Sequence, residues 1–222
     1  MPDDGSVVVE ALGVSLTGLT IAGPKARDLL AKVTHSDVSN AALKFMDIRE
    51  LYIGMAKCLV GRVSFTGDMG YEIWIKPEDQ RMVFDLLMSE GEELGISLFG
   101  GRALNAMRLE KNYGTWAREY RPIYGPFESG LDRFVAYGKD ADFIGKAAAI
   151  QEREDGGKLR LSAFVIDAKN ADVIGDEPVY HNGEVKGWVT WAVSLTTAKS
   201  QSRWDTSLKK SRTKQMALKL SC

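Results

Sequence analysis

The sequence predicts an α+β fold, an antiparallel sheet with helices on one face, followed by the start of a small all-β domain. Three observations predict it. Strand-like runs at 46–65 and 71–77 follow one another closely. Amphipathic helical periodicity then takes over at 78–95 and returns at 101–113. Further on, Asn182-Gly183 separates two strand-like runs, the chemistry of a two-residue hairpin turn. A β-β-α order between 46 and 113 suits helices layered on one side of an antiparallel sheet.

Each element has its own reason. VSLTGLTIAG (14–23) reads as a strand that stops at Gly23-Pro24, and Pro24 suits the first turn of a short helix at 25–33. Residues 34–45 form a polar connection. YEIWIKP alternates apolar and polar residues and ends at Pro77. In the helix that follows, acids fill the first turn and Met82, Phe84, Leu86, Leu87 and Leu94 are expected on or near the buried face. After 113 the character changes. A short helix is predicted over 142–154, a strand over 158–167 and a hairpin over 178–190.

Bulk properties narrow the function. The chain has 222 residues, 45% hydrophobic and 27% charged, an ordinary globular composition. A net charge of −1 makes no case for nucleic acid or an anionic membrane surface. Two cysteines far apart, Cys58 and Cys222, give neither a disulfide scaffold nor a metal-ligand spacing. With only His35 and His181, a zinc site or a Ser-His-Asp triad is not expected, and no metal is assigned. No apolar run is long enough for a membrane span, and MPDDGSVVVE lacks the features of a signal peptide.

One stretch stands out. SFTGDMGYEIWIKP interrupts a β-rich segment with Thr66-Gly67-Asp68-Met69-Gly70 and then resumes at once. Two readings are open: a tight turn between strands, or a turn that aims a carboxylate at a ligand.

Six motifs, in order over residues 20–190, carry a resemblance. SFTGDMGYEI resembles the YTGE-x-GYE turn of the glycine-cleavage aminomethyltransferase (T-protein) family. IAGPKARDLL resembles its GP-x-A-x-x-LL segment, MRLEKNYGTW its LRLEKGY helix and GPFESGL its P-x-EAGL turn. DFIGKAA resembles DFIGR-x-A, and GEVKGWVT resembles G-x-x-VG-x-VTSG. The details look most like the tetrahydrofolate domain at the C-terminal end of dimethylglycine and sarcosine dehydrogenases.

The resemblance implies a folate-binding aminomethyltransferase fold, in part, over 1–139. It implies part of a C-terminal β-barrel domain over 140–190, left incomplete. The implied activity is one-carbon transfer to tetrahydrofolate from methylated glycines, with reduced folate and a flavin-dependent amine dehydrogenase domain as partners. FAD would belong to an upstream domain that this sequence lacks; no Gly-x-Gly-x-x-Gly is present. The implied compartment is the cytoplasm, or the mitochondrial matrix in a eukaryote.

Residue by residue, Glu72 is the acid the family's turn presents to the pterin, whose N–H and exocyclic amine suit a carboxylate's two oxygens. Phe65 stands where the family often has Tyr, so a ring is kept and a hydroxyl lost. Arg108 and Glu110 are two apart and do not share a helix face; Arg108 is the candidate of the two. Tyr113 is a further candidate, and it and Trp116 would either flank the ligand or fill core space. Glu128 is expected to stabilise a turn. The family's catalytic Asp lies upstream of any matching segment; Asp3, Asp4 and Asp28 fall in no such motif, and no catalytic residue is assigned. Two alternatives stay open: a folate-binding accessory protein without group transfer, for which Cys58 fits no motif, and an inactive fragment.

Composition breaks after Thr190. Residues 191–222 hold seven Lys/Arg and one Asp and no Gly or Pro, leaving a net −7 before them. A basic arm is one reading. The other is a frameshift. Restoring one base after the Thr190 codon converts Trp191-Ala192-Val193 to Ser-Gly-Gly. Suitable codons for Ala198 through Leu208 rebuild Gln-Lys-Ser-Ile-Ala-Leu-Gly-Tyr-Ile-Pro, similar to the family's own phrase. On this reading 191–222 is an aberrant tail with no reason to pack.

Overall fold

The computed structural model describes residues 4–167, 173–194 and 214–221. The chain forms two compact units, residues 1–100 and 101–222.

In the first unit, strands β1 (Thr17–Ala22), β2 (Ile48–Ile53), β3 (Ala56–Gly61) and β4 (Gly70–Ile75) make an antiparallel sheet in the order β1-β4-β3-β2. β4 pairs with β1 through Ile21↔Tyr71 and Leu19↔Ile73, and with β3 through Val60↔Ile73. Side chains alternate across a strand. Tyr71, Ile73 and Ile75 therefore share one face with Ala56, Cys58, Val60, Leu51 and Ile53, and all of them are buried.

Helices α1 (Ala26–Val33) and α2 (Gln80–Gly91) cover that face. α1 buries Ala26, Leu29, Leu30 and Val33, the i, i+3, i+4, i+7 stripe of an amphipathic helix. Asp28 in its first turn and Lys32 in its last suit the helix dipole. Fully burying Leu30 contributes about 1.5–3 kcal/mol.

α2 differs from expectation. Its buried line is Val83, Leu87 and Gly91. Leu86 and Leu94 pack at its edge, while Met82 is exposed. The reason is rotational: one residue shifts a helical face by about 100°. The 3₁₀ turn Pro77–Asp79 sets the entry angle, and the acids lie in that turn rather than in α2. The polar connection also hides two core residues, Val38 and Leu43.

The second unit holds α3 (Gly101–Glu110), α4 (Lys146–Asp155), β5 (Arg160–Asp167), β6 (Pro178–His181), β7 (Glu184–Ser194) and β8 (Lys214–Ser221). Its antiparallel sheet runs β5-β8-β7-β6. β6 and β7 form the expected hairpin, with Asn182 at φ 52° and Gly183 at φ 80°, as a type I′ turn requires. α3 was expected to join the helices over the first sheet. Instead it packs in this unit, because Leu109 finds Leu161, Ala163, Trp191 and Val193.

Part of the segment after Thr190 lies in the second sheet. Residues 191–194 extend β7, Trp191 and Val193 pack on Leu109, and Lys214–Ser221 form β8 between β5 and β7. The physical reason is pattern. KQMALKLS alternates Met216, Leu218 and Leu220 with Gln215, Ala217 and Lys219, the period of a strand. Residues 195–213 lie outside the described ones, and with them most of the basic run.

Candidate functional site

The first sheet's other face carries the candidate Glu72. Glu72 follows Tyr71 and precedes Ile73, both buried, so its carboxylate rises on the side opposite α1 and α2. It pairs with Thr20 on β1 and Gly61 on β3. Trp74, two residues on, lies between Gly18 and Leu59. Gly61 has no room for a side chain: a Cβ there would stand 2.9 Å from Trp74 Cζ3 and 3.4 Å from Ile48 Cγ1. The indole thus closes over the strand next to the half-buried carboxylate. Ile48, Tyr52 and Leu59 extend this face as exposed apolar surface. Among the described residues Glu72 has no hydrogen-bond or ion-pair partner.

The preceding turn explains how Glu72 is held. Gly67 adopts φ 78°, open to glycine at no steric cost. Gly70 is needed for a different reason, since a Cβ would meet Ile21 O and Ser64 Cβ at 2.9 Å. Thr66 is fully buried. Its Oγ1 lies 2.8 Å from Ser64 Oγ and accepts the Asp68 amide at 3.3 Å. Gly23 N–H donates to Met69 O at 2.7 Å, tying the turn to the end of β1. Arg27 Nε donates to the Tyr71 hydroxyl at 3.2 Å, satisfying a buried phenol next to Glu72 in sequence. Phe65 sits half-buried in this turn, and Asp68 is exposed.

The remaining candidates belong to the second unit. Arg108, read from sequence as a ligand-contact candidate, is fully buried. Its Nη1 donates to Tyr113 O at 2.7 Å and to Glu119 Oε2 at 3.2 Å, and its Nε to Asn105 Oδ1 at 3.3 Å. The guanidinium stands 5.6 Å from the Trp191 ring centre. Among the described residues its Nη2 has no hydrogen-bond partner. Burial draws Arg108 below its ordinary pKa, and the Glu119 carboxylate pulls the other way.

Tyr113 is 43% exposed and Trp116 79%, so neither fills a core. Trp116 makes an edge contact with Tyr120, 5.8 Å between ring centres. Glu128 does stabilise a turn: its Oε1 accepts the amides of Lys158 and Leu159 at 2.9 and 3.1 Å.

Sequence reasoning missed Glu119. It stands between Arg118 and Tyr120, in a segment rich in charge. In the fold it is fully buried and accepts from Arg108, from Thr115 N at 2.7 Å and from Thr190 Oγ1 at 2.7 Å. No local pattern signals a partner 71 positions away. Glu72 and Phe65 thus lie on one unit, Arg108 and Tyr113 on the other. Within the first unit the geometry offers an unpaired acceptor beside an aromatic ring. That arrangement suits a flat ligand with adjacent N–H groups on one edge.

The architecture is that of a known class. The chain superimposes on the crystal structure of glycine cleavage system aminomethyltransferase T from Bartonella henselae with a TM-score of 0.74 at 19% identity, covering 93% of this chain and 51% of that one. The fold is therefore the aminomethyltransferase fold. A family profile described as the GCVT N-terminal domain matches residues 1–139, and the chain belongs to that family. It is 38% identical to human mitochondrial dimethylglycine dehydrogenase over 183 residues, 82% of this chain and 21% of that protein. An aminomethyltransferase from Alkaliphilus metalliredigens is 31% identical over 193 residues, 87% of this chain and 52% of that protein. A mouse pyruvate dehydrogenase phosphatase regulatory subunit is 29% identical over 195 residues, 86% of this chain and 22% of that protein. The chain thus spans between a fifth and about half of these relatives.

Proposed function

We propose that this chain is the tetrahydrofolate-binding part of a one-carbon transfer protein acting on methylated glycines such as dimethylglycine or sarcosine. One observation carries the reading: Glu72, its carboxylate without a partner among the described residues, held on an open sheet face by a two-glycine turn beside Trp74. The residues present fit the ligand. Glu72 accepts the pterin's ring N–H and exocyclic amine in a bidentate pair. Trp74 and Phe65 offer apolar ring surface for the pterin, and Arg108 and Tyr113 stay folate-binding candidates on the resemblance alone. Reduced folate supplies the nitrogen that takes up the one-carbon unit. The chain's part is to bind and orient that nitrogen's ring system, and no proton-transfer step is assigned to its residues. Oxidation of the amine falls to an FAD-dependent dehydrogenase domain acting as partner. The compartment that goes with this role is the cytoplasm, or the mitochondrial matrix in a eukaryote.

Titration with a reduced folate, read by calorimetry or tryptophan fluorescence, tests the reading. Wild type is expected to bind, and Glu72→Gln to weaken binding about a hundredfold, the loss of a charge-assisted bidentate pair. A folded wild-type chain that ignores reduced folate removes the proposal.

A second reading, a folate-binding accessory protein without group transfer, is favoured by the regulatory subunit among the relatives. Turnover of dimethylglycine with an added flavin-dependent dehydrogenase separates the two. Folate-dependent product formation supports transfer, and binding without turnover supports the accessory role.

A further inference from the structure

We infer that Lys57 and Lys76 form a subsite for the anionic tail of the folate whose ring end Glu72 receives. The inference rests on the folate reading for the ring end and adds the far end of the same ligand.

The pairing of β3 with β4 lays two columns of side chains on the open face of the first sheet. Glu72 stands opposite Gly61, and Trp74 opposite Leu59. One further step of two residues brings Lys76 opposite Lys57. Both lysines belong to this face. Lys57 lies between the buried Ala56 and Cys58. Lys76 follows the buried Ile75 and keeps an extended backbone, at φ −68° and ψ 145°. Along the strands the columns therefore run from an acid beside a glycine, through an indole beside a leucine, to two ammonium groups. From Glu72 to Lys76 the strand covers about 13 Å.

The ligand has the same order of chemistry. A reduced folate carries N–H donors on its ring end, a benzoyl ring in its middle and carboxylates on its tail. The donors meet Glu72, the benzoyl ring lies against Trp74 and Leu59, and the carboxylates reach the lysines.

A separate feature points the same way. Two like charges directly opposite each other on a sheet destabilise it. Glu50 and Glu78 offset this from the side: Lys57 Nζ lies 2.9 Å from Glu50 Oε1, and Lys76 Nζ 3.8 Å from Glu78 Oε1. All four side chains are exposed, and exposed pairs are weak. An ammonium has three donors, so each lysine has capacity for a ligand carboxylate. The two glutamates then compete with the tail for the same ammonium groups.

The test uses the full chain and two probes, tetrahydrofolate and tetrahydropterin, which share the ring end while only the first carries the tail. Calorimetric titration of wild type is expected to show tighter binding of tetrahydrofolate, with the excess shrinking as salt is raised. Lys57→Met and Lys76→Met are each expected to weaken tetrahydrofolate about three- to fivefold, and the double variant about tenfold, with tetrahydropterin unchanged. Glu50→Gln, which releases Lys57, is expected to tighten tetrahydrofolate about twofold, a gain that damage to the fold does not give. Equal binding of the two probes by wild type overturns the subsite and leaves the ring-end reading standing. So does wild-type tetrahydrofolate affinity in the double variant, an equal loss of both probes in it, or weaker tetrahydrofolate binding in Glu50→Gln. A wild type that binds neither probe removes the folate reading and the subsite together.

Discussion

A carboxylate on the open face of a sheet is usually satisfied by water or by a cation on the neighbouring strand. Lys57 plays that part for Glu50, at 2.9 Å. Glu72 instead has Thr20 and Gly61 beside it, neither charged. Such a site keeps the acceptor available, which is why Glu72 and not Glu50 is the candidate. Cys58, on the buried face of the same sheet, makes a different prediction. Burial pushes its thiol from 9.0 up to about 11. The unfolded chain therefore loses this proton at lower pH than the folded chain. The thiol's contribution to stability is complete below about pH 9 and is lost as pH rises to about 11, roughly 2–3 kcal/mol in all. Denaturant melts at about pH 8 and about pH 10.5 check this, with Cys58→Ala expected to flatten that part of the decline. An equal decline in the variant assigns the pH dependence to other groups. The turn before Glu72 was legible because it is local, with two glycines and an acid in one short run. Glu119 was not, because its burial depends on Arg108 and Thr190 arriving from elsewhere.

At the scale of elements, local chemistry decided existence and type, and packing decided faces. α1 followed its stripe of Ala26, Leu29, Leu30 and Val33 without correction. α2 existed where expected but turned Met82 outward, since Val83 and Leu87 fit the sheet. α3 had the right span within a few residues, yet its partner was the second sheet. Turns were the most faithful elements because their dihedrals are set by a residue or two. The β6–β7 hairpin gives the prediction at this level. Gly183 sits at φ 80°, where a Cβ is strained, although nothing crowds it in space. Gly183→Ala should cost about 1 kcal/mol through backbone strain alone. Chemical denaturation measures it, and Asn182→Gly, which keeps the positive φ available, should cost much less. Equal losses from both would place the cost in side-chain contacts rather than in the backbone.

For the whole molecule, the sequence-level division rested on motif boundaries, while the compact units meet at Gly100-Gly101. The tail poses the sharper question. The out-of-frame reading of 191–222 and the strand at Lys214–Ser221 are compatible, since an unselected sequence with a period of two can still pair as a strand. Nucleotide sequence across codons 188–208 decides the first point. Codons that rebuild Ser-Gly-Gly and the longer phrase support it, and codons that cannot do so remove it.

What the sequence by itself determined was the class of fold, the hairpin, the glycine turn and the membership that six ordered motifs carry. These depend on dihedral preference and periodicity, properties that neighbouring residues share. Only the tertiary structure decided that Arg108 is buried rather than presented, that Glu119 is its counterion, and that Tyr113 and Trp116 face outward. A charge is settled by whatever the fold brings beside it, and that partner is set by long-range packing rather than by the residues next in line.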